Sequence, residues 1–222
     1  MQKPKHIVLL GASVGKAWNI ESLPNRITKS SSSPLPPDAL RLTVVPYRFE
    51  YVGKYQFDKT DSLQEILKRK ENKPDAIFLK ECAAYFPGDL PKYQELMKGW
   101  VTQCKQAGVI PIPTTVVPMI RDLPLKTRVK DLIKWVIGRS TQGSIHTSRL
   151  TGILQYNDWI KSYPLKEGLV VLDLETPLHV SNEDRSLRLD LHSGDGLHLN
   201  EKAYALLDKI VIPTLEKALD KK

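Results

Sequence analysis

Short apolar runs alternate along this chain with segments of helical periodicity, and that alternation restricts the fold more than any other feature. Lys5 to Leu10 is a compact apolar run after a charged start, and Gly11 ends it. Such a run, with no polar alternation, reads as a buried parallel strand. Leu42 to Val52 carries β-branched and aromatic residues and forms a second strand, broken at Pro46. Asp75 to Lys80 is the third strand. Val109 to Val117 is the fourth, made short or irregular by Pro111 and Pro113. Leu169 to Asp173 is the fifth.

The intervening segments carry helix signals. Asp61-Ser-Leu-Gln64 resembles a capping box ahead of apolar Leu63, Ile66 and Leu67. Pro91 opens a helix whose apolar positions Tyr93, Leu96, Met97, Trp100, Val101 and Cys104 have helical spacing, and Gly108 stops it. Val129 to Val136 marks another helix, followed by a polar loop from Arg139 to Ser148 and a helix from Leu150 to about Tyr163. Glu175 to Gly194 is a long loop, and Asn200 is the expected N-cap of a last helix with Ala203, Leu206, Leu207, Ile210 and Val211 inside. Ser30 to Pro37 reads as a surface loop rather than a linker. Strands alternating with helices imply a parallel sheet covered on both sides, and 222 residues suit one large domain spanning 1–222.

Composition narrows the class. Charged residues at 26% and apolar residues at 41% are those of an ordinary globular protein. No apolar run approaches the ~20 residues of a membrane span. Only five residues precede His6, where the apolar part of the first strand begins, too few for a signal peptide, so the expected location is the cytoplasm, with export after removal of a targeting segment as the alternative. The net charge of +8 has no arginine or lysine stripe interleaved with aromatics; the lysines are scattered over helices and termini, and no nucleic-acid partner is expected. Two cysteines make no disulfide framework, and Cys104 reads as a buried thiol. The histidines and acids between 173 and 198 match no zinc spacing.

Two short motifs lie at opposite ends of the chain. Leu10-Gly11-Ala12-Ser13 closes the first strand, and Asp195-Gly-Leu-His198-Leu-Asn200 precedes the last helix. Ligands of an open α/β sheet bind beyond the carboxyl ends of its strands, where Ser13 stands. A serine there can attack a carbonyl if a histidine takes its proton and a carboxylate orients the imidazole. Glycines beside Asp195 and His198 let both side chains converge. His192 and His179 compete for the role of base, but His192 follows Asp190 by two, a poorer spacing. Val14-Gly15-Lys16-Ala17 can begin a helical turn whose amides, with that of Ser13, face a developing oxyanion.

These motifs resemble the SGNH, or GDSL-like, hydrolases. The first family block, Gly-Asp-Ser, corresponds to Gly11-Ala12-Ser13, and the last, Asp-x-x-His, to Asp195–His198. The resemblance implies a three-layer α/β/α sandwich of flavodoxin-like type with a five-stranded, mostly parallel sheet. It implies hydrolysis of an acyl or acetyl ester of a lipid, carbohydrate or small molecule through an acyl-enzyme, with no cofactor. Ser13 is then the nucleophile, His198 the base and Asp195 its partner. The oxyanion hole would comprise the Ser13 amide, Gly53 as the glycine of the second block, and Cys82.

The third block departs from the family. Its Gly-x-Asn-Asp is here Lys80-Glu81-Cys82-Ala83, so Lys80 replaces the glycine and Cys82 the asparagine. A thiol is a weaker donor than an amide. Either Lys80 or another group compensates, or turnover is slow, or the register differs; Cys82 is also an alternative nucleophile. Two rivals follow: a binding protein of the same fold with weakened catalysis, and a flavodoxin-like nucleotide module. Against the second, Gly11-Ala-Ser-Val-Gly15 matches neither the dinucleotide nor the P-loop pattern.

Overall fold

The computed structural model describes residues 3–30, 47–122, 142–194 and 198–220. Its sheet has four parallel strands in the order β2-β1-β3-β4: β1 Lys5–Gly11, β2 Tyr47–Gly53, β3 Ala76–Leu79 and β4 Ile110–Pro113. The helices are α1 Ser13–Trp18, α2 Leu23–Ser30, α3 Thr60–Leu67, α4 Leu90–Gln106, α5 Gln142–Lys166 and α6 Glu201–Leu219.

The strands sort the core into two layers. Ile7 and Leu9 of β1 and Ala76 and Phe78 of β3 pack with Trp18, Leu207 and Val211 of α1 and α6. Val8, Leu10, Ile77 and Leu79 pack on the opposite face with Leu63, Met97, Trp100 and Tyr156 of α3, α4 and α5. Both faces of the central strands are covered, which is why their sequences are apolar at consecutive positions rather than at every second one.

The expected fifth strand is reduced to a single parallel bridge between Thr114 and Leu172. The prolines of β4 explain this. Residues 110 and 114 donate toward β3, Ile110 N to Asp75 O and Thr114 N to Leu79 O. The alternate positions face residues 169–173, and there Pro111 and Pro113 carry no N–H to donate. Only Thr115 N to Leu172 O and Leu172 N to Pro113 O remain.

Other boundaries shift for local reasons. α3 begins at Thr60, ahead of the proposed capping box, with Asp58 Oδ1 accepting from Thr60 N. α5 starts within the segment expected to be a polar loop. Its first turns are held by tertiary partners: His146 Nε2 lies 2.6 Å from Ile120 O, and Arg149 donates to Phe86 O. The helix expected at Val129–Val136, the start of the second strand at Leu42 and the loop at 31–37 lie outside the described residues. α4 and α6 follow the sequence closely, capped by Asp89 (accepting from Lys92 N) and Asn200 (accepting from Ala203 N). Among the described residues no helix is long and apolar enough to cross a membrane.

The backbone after β4 is fixed by one side chain. Asn157 of α5 is fully buried; its Oδ1 accepts from Val116 N at 2.7 Å and its Nδ2 donates to Val116 O at 2.9 Å. It thus satisfies both polar groups of a residue that has left the sheet. Asn157→Leu keeps the volume but strands both groups, and should cost about 2 to 5 kcal/mol of stability by urea denaturation.

Candidate active site

β1 ends at Gly11, and Ser13 is the first residue of α1. The turn that presents it is built around Tyr51 of β2. The Tyr51 hydroxyl donates to Ala12 O at 3.0 Å. A Cβ on Gly15 would stand 3.0 Å from the Tyr51 ring, and one on Gly53 would stand 3.1 Å from the Tyr51 hydroxyl. The two glycines therefore leave room for the tyrosine that braces the serine's turn. Burial pushes the Tyr51 phenol well above its ordinary range, so it acts as a neutral donor.

His198 reaches Ser13 from the other end of the chain, with Nε2 3.2 Å from Ser13 Oγ. Its backbone is held by a short antiparallel bridge: His192 pairs with Leu199, and Ser193 N donates to His198 O. Asn200 extends the support, its Nδ2 donating to Asp190 O. The competing histidines are engaged locally. His192 Nδ1 accepts from Gly194 N at 2.8 Å, and His179 Nδ1 contacts Ser181 O. Asp195 lies outside the described residues.

A charged clamp ties the two halves together. Asp208 of α6 accepts from Trp18 Nε1 of α1 at 2.8 Å, and its two oxygens accept from Arg26 Nη2 and Nε of α2 at 2.9 and 2.7 Å. The helix that follows His198 is thus fastened to the helix that starts at Ser13. The bidentate arginine fork gives this link directional precision as well as attraction.

Gly53 pairs in register with Gly11. Lys54 N donates to Gly11 O, so by the alternation of a strand backbone the Gly53 N–H points away from β1, toward the open edge of the sheet. Cys82 follows β3 and is buried, N-capping the 3-10 turn at Ala83–Tyr85. The Tyr85 phenol is pushed up to about 12, chiefly by burial.

Two of the scattered lysines are buried. Lys59 and Lys80 are each 1% exposed. Lys59 Nζ pairs with Glu81 Oε2 at 2.7 Å and lies over the Tyr85 and Trp100 rings. Lys80 Nζ donates to Glu81 O at 2.9 Å. The signal available in the sequence was a Lys-Glu pair placed directly after the fully apolar run Ala76–Leu79. Among the described residues no group of three or more His, Cys, Asp or Glu is arranged to hold a metal ion.

The fold is shared by known structures. The chain is similar to a GDSL-like lipase from Bacteroides thetaiotaomicron, with 14% identity, 98% of this chain and 92% of that chain covered, and a TM-score of 0.61. It is similar to the psychrotrophic esterase EstA of Pseudoalteromonas sp., solved inhibited by monoethylphosphonate, with 13% identity, coverage of 97% and 99%, and a TM-score of 0.53. An acetyl esterase carrying a serine-to-alanine mutation, solved with an acetate ion, gives 14% identity, coverage of 98% and 99%, and a TM-score of 0.55. No protein-family model and no curated protein matches the chain. The α/β architecture is that of these GDSL-like lipases and SGNH hydrolases.

The clamp generates a test. Asp208→Ala removes an acceptor from both Trp18 and Arg26 and should lower stability by about 2 to 3 kcal/mol in chemical denaturation.

Proposed function

We propose that this protein hydrolyses carboxylic esters with Ser13 as nucleophile and His198 as general base. The observation that carries the reading is the 3.2 Å approach of His198 Nε2 to Ser13 Oγ, at the carboxyl end of the central strand, where α/β sheets bind their ligands. Nucleophile and base within hydrogen-bond reach form the core of a hydrolytic triad.

Ser13 Oγ attacks the ester carbonyl carbon while its proton passes to His198 Nε2. The tetrahedral intermediate collapses, the bond to the alcohol oxygen breaks, and His198 returns the proton to that leaving alcohol. Water then attacks the acyl-enzyme, again giving a proton to His198, and the carboxylic acid departs as Ser13 regains its hydrogen. The Ser13 N–H is the first donor to the oxyanion, with Gly53 and Cys82 lining the same end of the sheet. Asp195 is assigned the imidazole's other nitrogen by its spacing from His198. No cofactor enters any step.

The structural neighbours support the class of substrate: an esterase inhibited by a phosphonate and an acetyl esterase holding acetate share this fold. The proposed substrates are acyl or acetyl esters of small molecules, lipids or carbohydrates.

Ser13→Ala should lower turnover of p-nitrophenyl acetate or butyrate by at least about a thousandfold while leaving the circular dichroism spectrum unchanged, and His198→Ala should be nearly as damaging. A fluorophosphonate should label Ser13 in the native chain. Full esterase activity in Ser13→Ala, or an adduct mapped to Cys82, would refute the assignment.

A further inference from the structure

In the motif register read from the sequence, Lys80 takes the place of the third-block glycine, and it is buried rather than solvated. It follows β3, and Lys80 N donates to Leu10 O, so it lies level with the end of β1. Its stem crosses the backbone just ahead of Ser13: a Cβ on Gly11 would meet Lys80 Cβ at 3.3 Å and Lys80 Cδ at 3.5 Å. A side chain at Gly11 would press on the lysine stem. Among the described residues the ammonium's one polar partner is Glu81 O, the carbonyl of the peptide that leads into Cys82.

The charges beneath this end of the sheet do not cancel. Glu81 is matched by Lys59 at 2.7 Å. Burial pushes the Glu81 carboxyl up, and the Lys59 ammonium draws it back toward ionisation. That pair is neutral as a unit, so the Lys80 ammonium is a surplus positive charge in a dry setting. An isolated buried cation is costly to a fold. Burial pushes Lys80 down to about 8, with the Lys59 charge adding to the shift and Cys82 and Glu81 opposing it.

We propose that Lys80 is a positioning residue for ester hydrolysis: its buried ammonium holds the Glu81–Cys82 peptide against the Ser13 turn and supplies the positive field that stabilises the oxyanion, in place of the side-chain amide that this sequence lacks. The inference rests on the reading of Ser13 as nucleophile. Its consequence is an alkaline limb. Below about pH 8 the ammonium is present and the field is on; as pH rises through that value the proton leaves and turnover falls. Stability moves the opposite way. The folded state holds fewer protons than the unfolded one between about 8 and the ordinary 10.5, so the fold gains stability across that interval. The groups facing Lys80 are Cys82, Lys59 and Glu81, with Tyr51, Tyr55 and Tyr85 around Cys82. Of these, Cys82 is removed by substitution so that the effect of Lys80 is read on its own.

The test is the pH dependence of kcat on p-nitrophenyl butyrate, and of fluorophosphonate labelling, from about pH 6 to about pH 10 in the native chain, Lys80→Met, Lys80→Arg and Cys82→Ala. Lys80→Met should lower kcat about 10- to 100-fold near neutral pH with KM within about twofold, and should erase the alkaline limb. It should also erase the alkaline rise in melting temperature. Lys80→Arg, which keeps a charge that does not titrate, should move the limb out of range. Cys82→Ala should retain the limb whatever its absolute rate. A limb that survives in Lys80→Met, or an unchanged kcat there, overturns the proposal. Should Lys80→Met fail to fold, a labelling rate in the native chain that stays flat across the alkaline range overturns it equally. Absence of any labelling at Ser13 in the native chain instead refutes the nucleophile itself, a different result from labelling that ignores Lys80.

Discussion

Central strand β1 is hydrogen-bonded on both sides, and the rest of the molecule takes its level from that pairing. Its register sets Gly11 opposite Gly53 of β2 and Leu10 opposite Leu79 of β3. Three chain segments therefore leave the sheet at one height: the turn into Ser13, the edge segment after Gly53, and the Lys80-Glu81-Cys82 segment. A slip of one residue would exchange the two core layers and carry Ser13 away from that height. The apolar residues at consecutive positions, packed against α6 on one face and α3 to α5 on the other, make such a slip costly.

The same end of the sheet carries the least comfortable chemistry in the fold. Two lysines and a glutamate are withdrawn from water, with Lys59 over the rings of Tyr85 and Trp100. A hydrophobic replacement of such a cluster is often neutral or stabilising. Under the mechanism proposed above, the buried Lys80 ammonium keeps a stability penalty close to where the oxyanion would form. Glu81 Oε1 and the Tyr156 hydroxyl are buried without a hydrogen-bond partner among the described residues, and the Glu81 charge adds to the burial that raises the Tyr156 phenol.

Ser13 and His198 are 185 residues apart in sequence, and their meeting depends on how the last helix is seated. Asp208 performs that seating by gripping Trp18 and Arg26. The bridge from His192 to Leu199 then aims the imidazole, while Tyr51 braces the other side by holding Ala12 O. The site is therefore a junction of three independent supports rather than a single loop, which suits a geometry that must hold to within a fraction of an ångström.

Much of this was legible in the residues themselves. Four of the five expected strands are present, α4 begins beside Pro91 and ends before Gly108, α6 begins after Asn200, and Ser13 and His198 do come together. Such features follow from local chemistry: apolar runs seek burial, side-chain oxygens cap helices, and glycine ends a strand. Other features had no local cause. The fifth strand dwindled to one bridge because Pro111 and Pro113 sit on the side of β4 that faces it, and only the sheet order reveals which side that is. Helix α5 extends back through a polar stretch because Ile120 and Phe86 carbonyls wait for His146 and Arg149. The burial of Lys59 and Lys80, the grip of Asp208, and the packing need behind Gly11, Gly15 and Gly53 arise from groups distant in sequence, whose mutual distances exist only once the chain has folded.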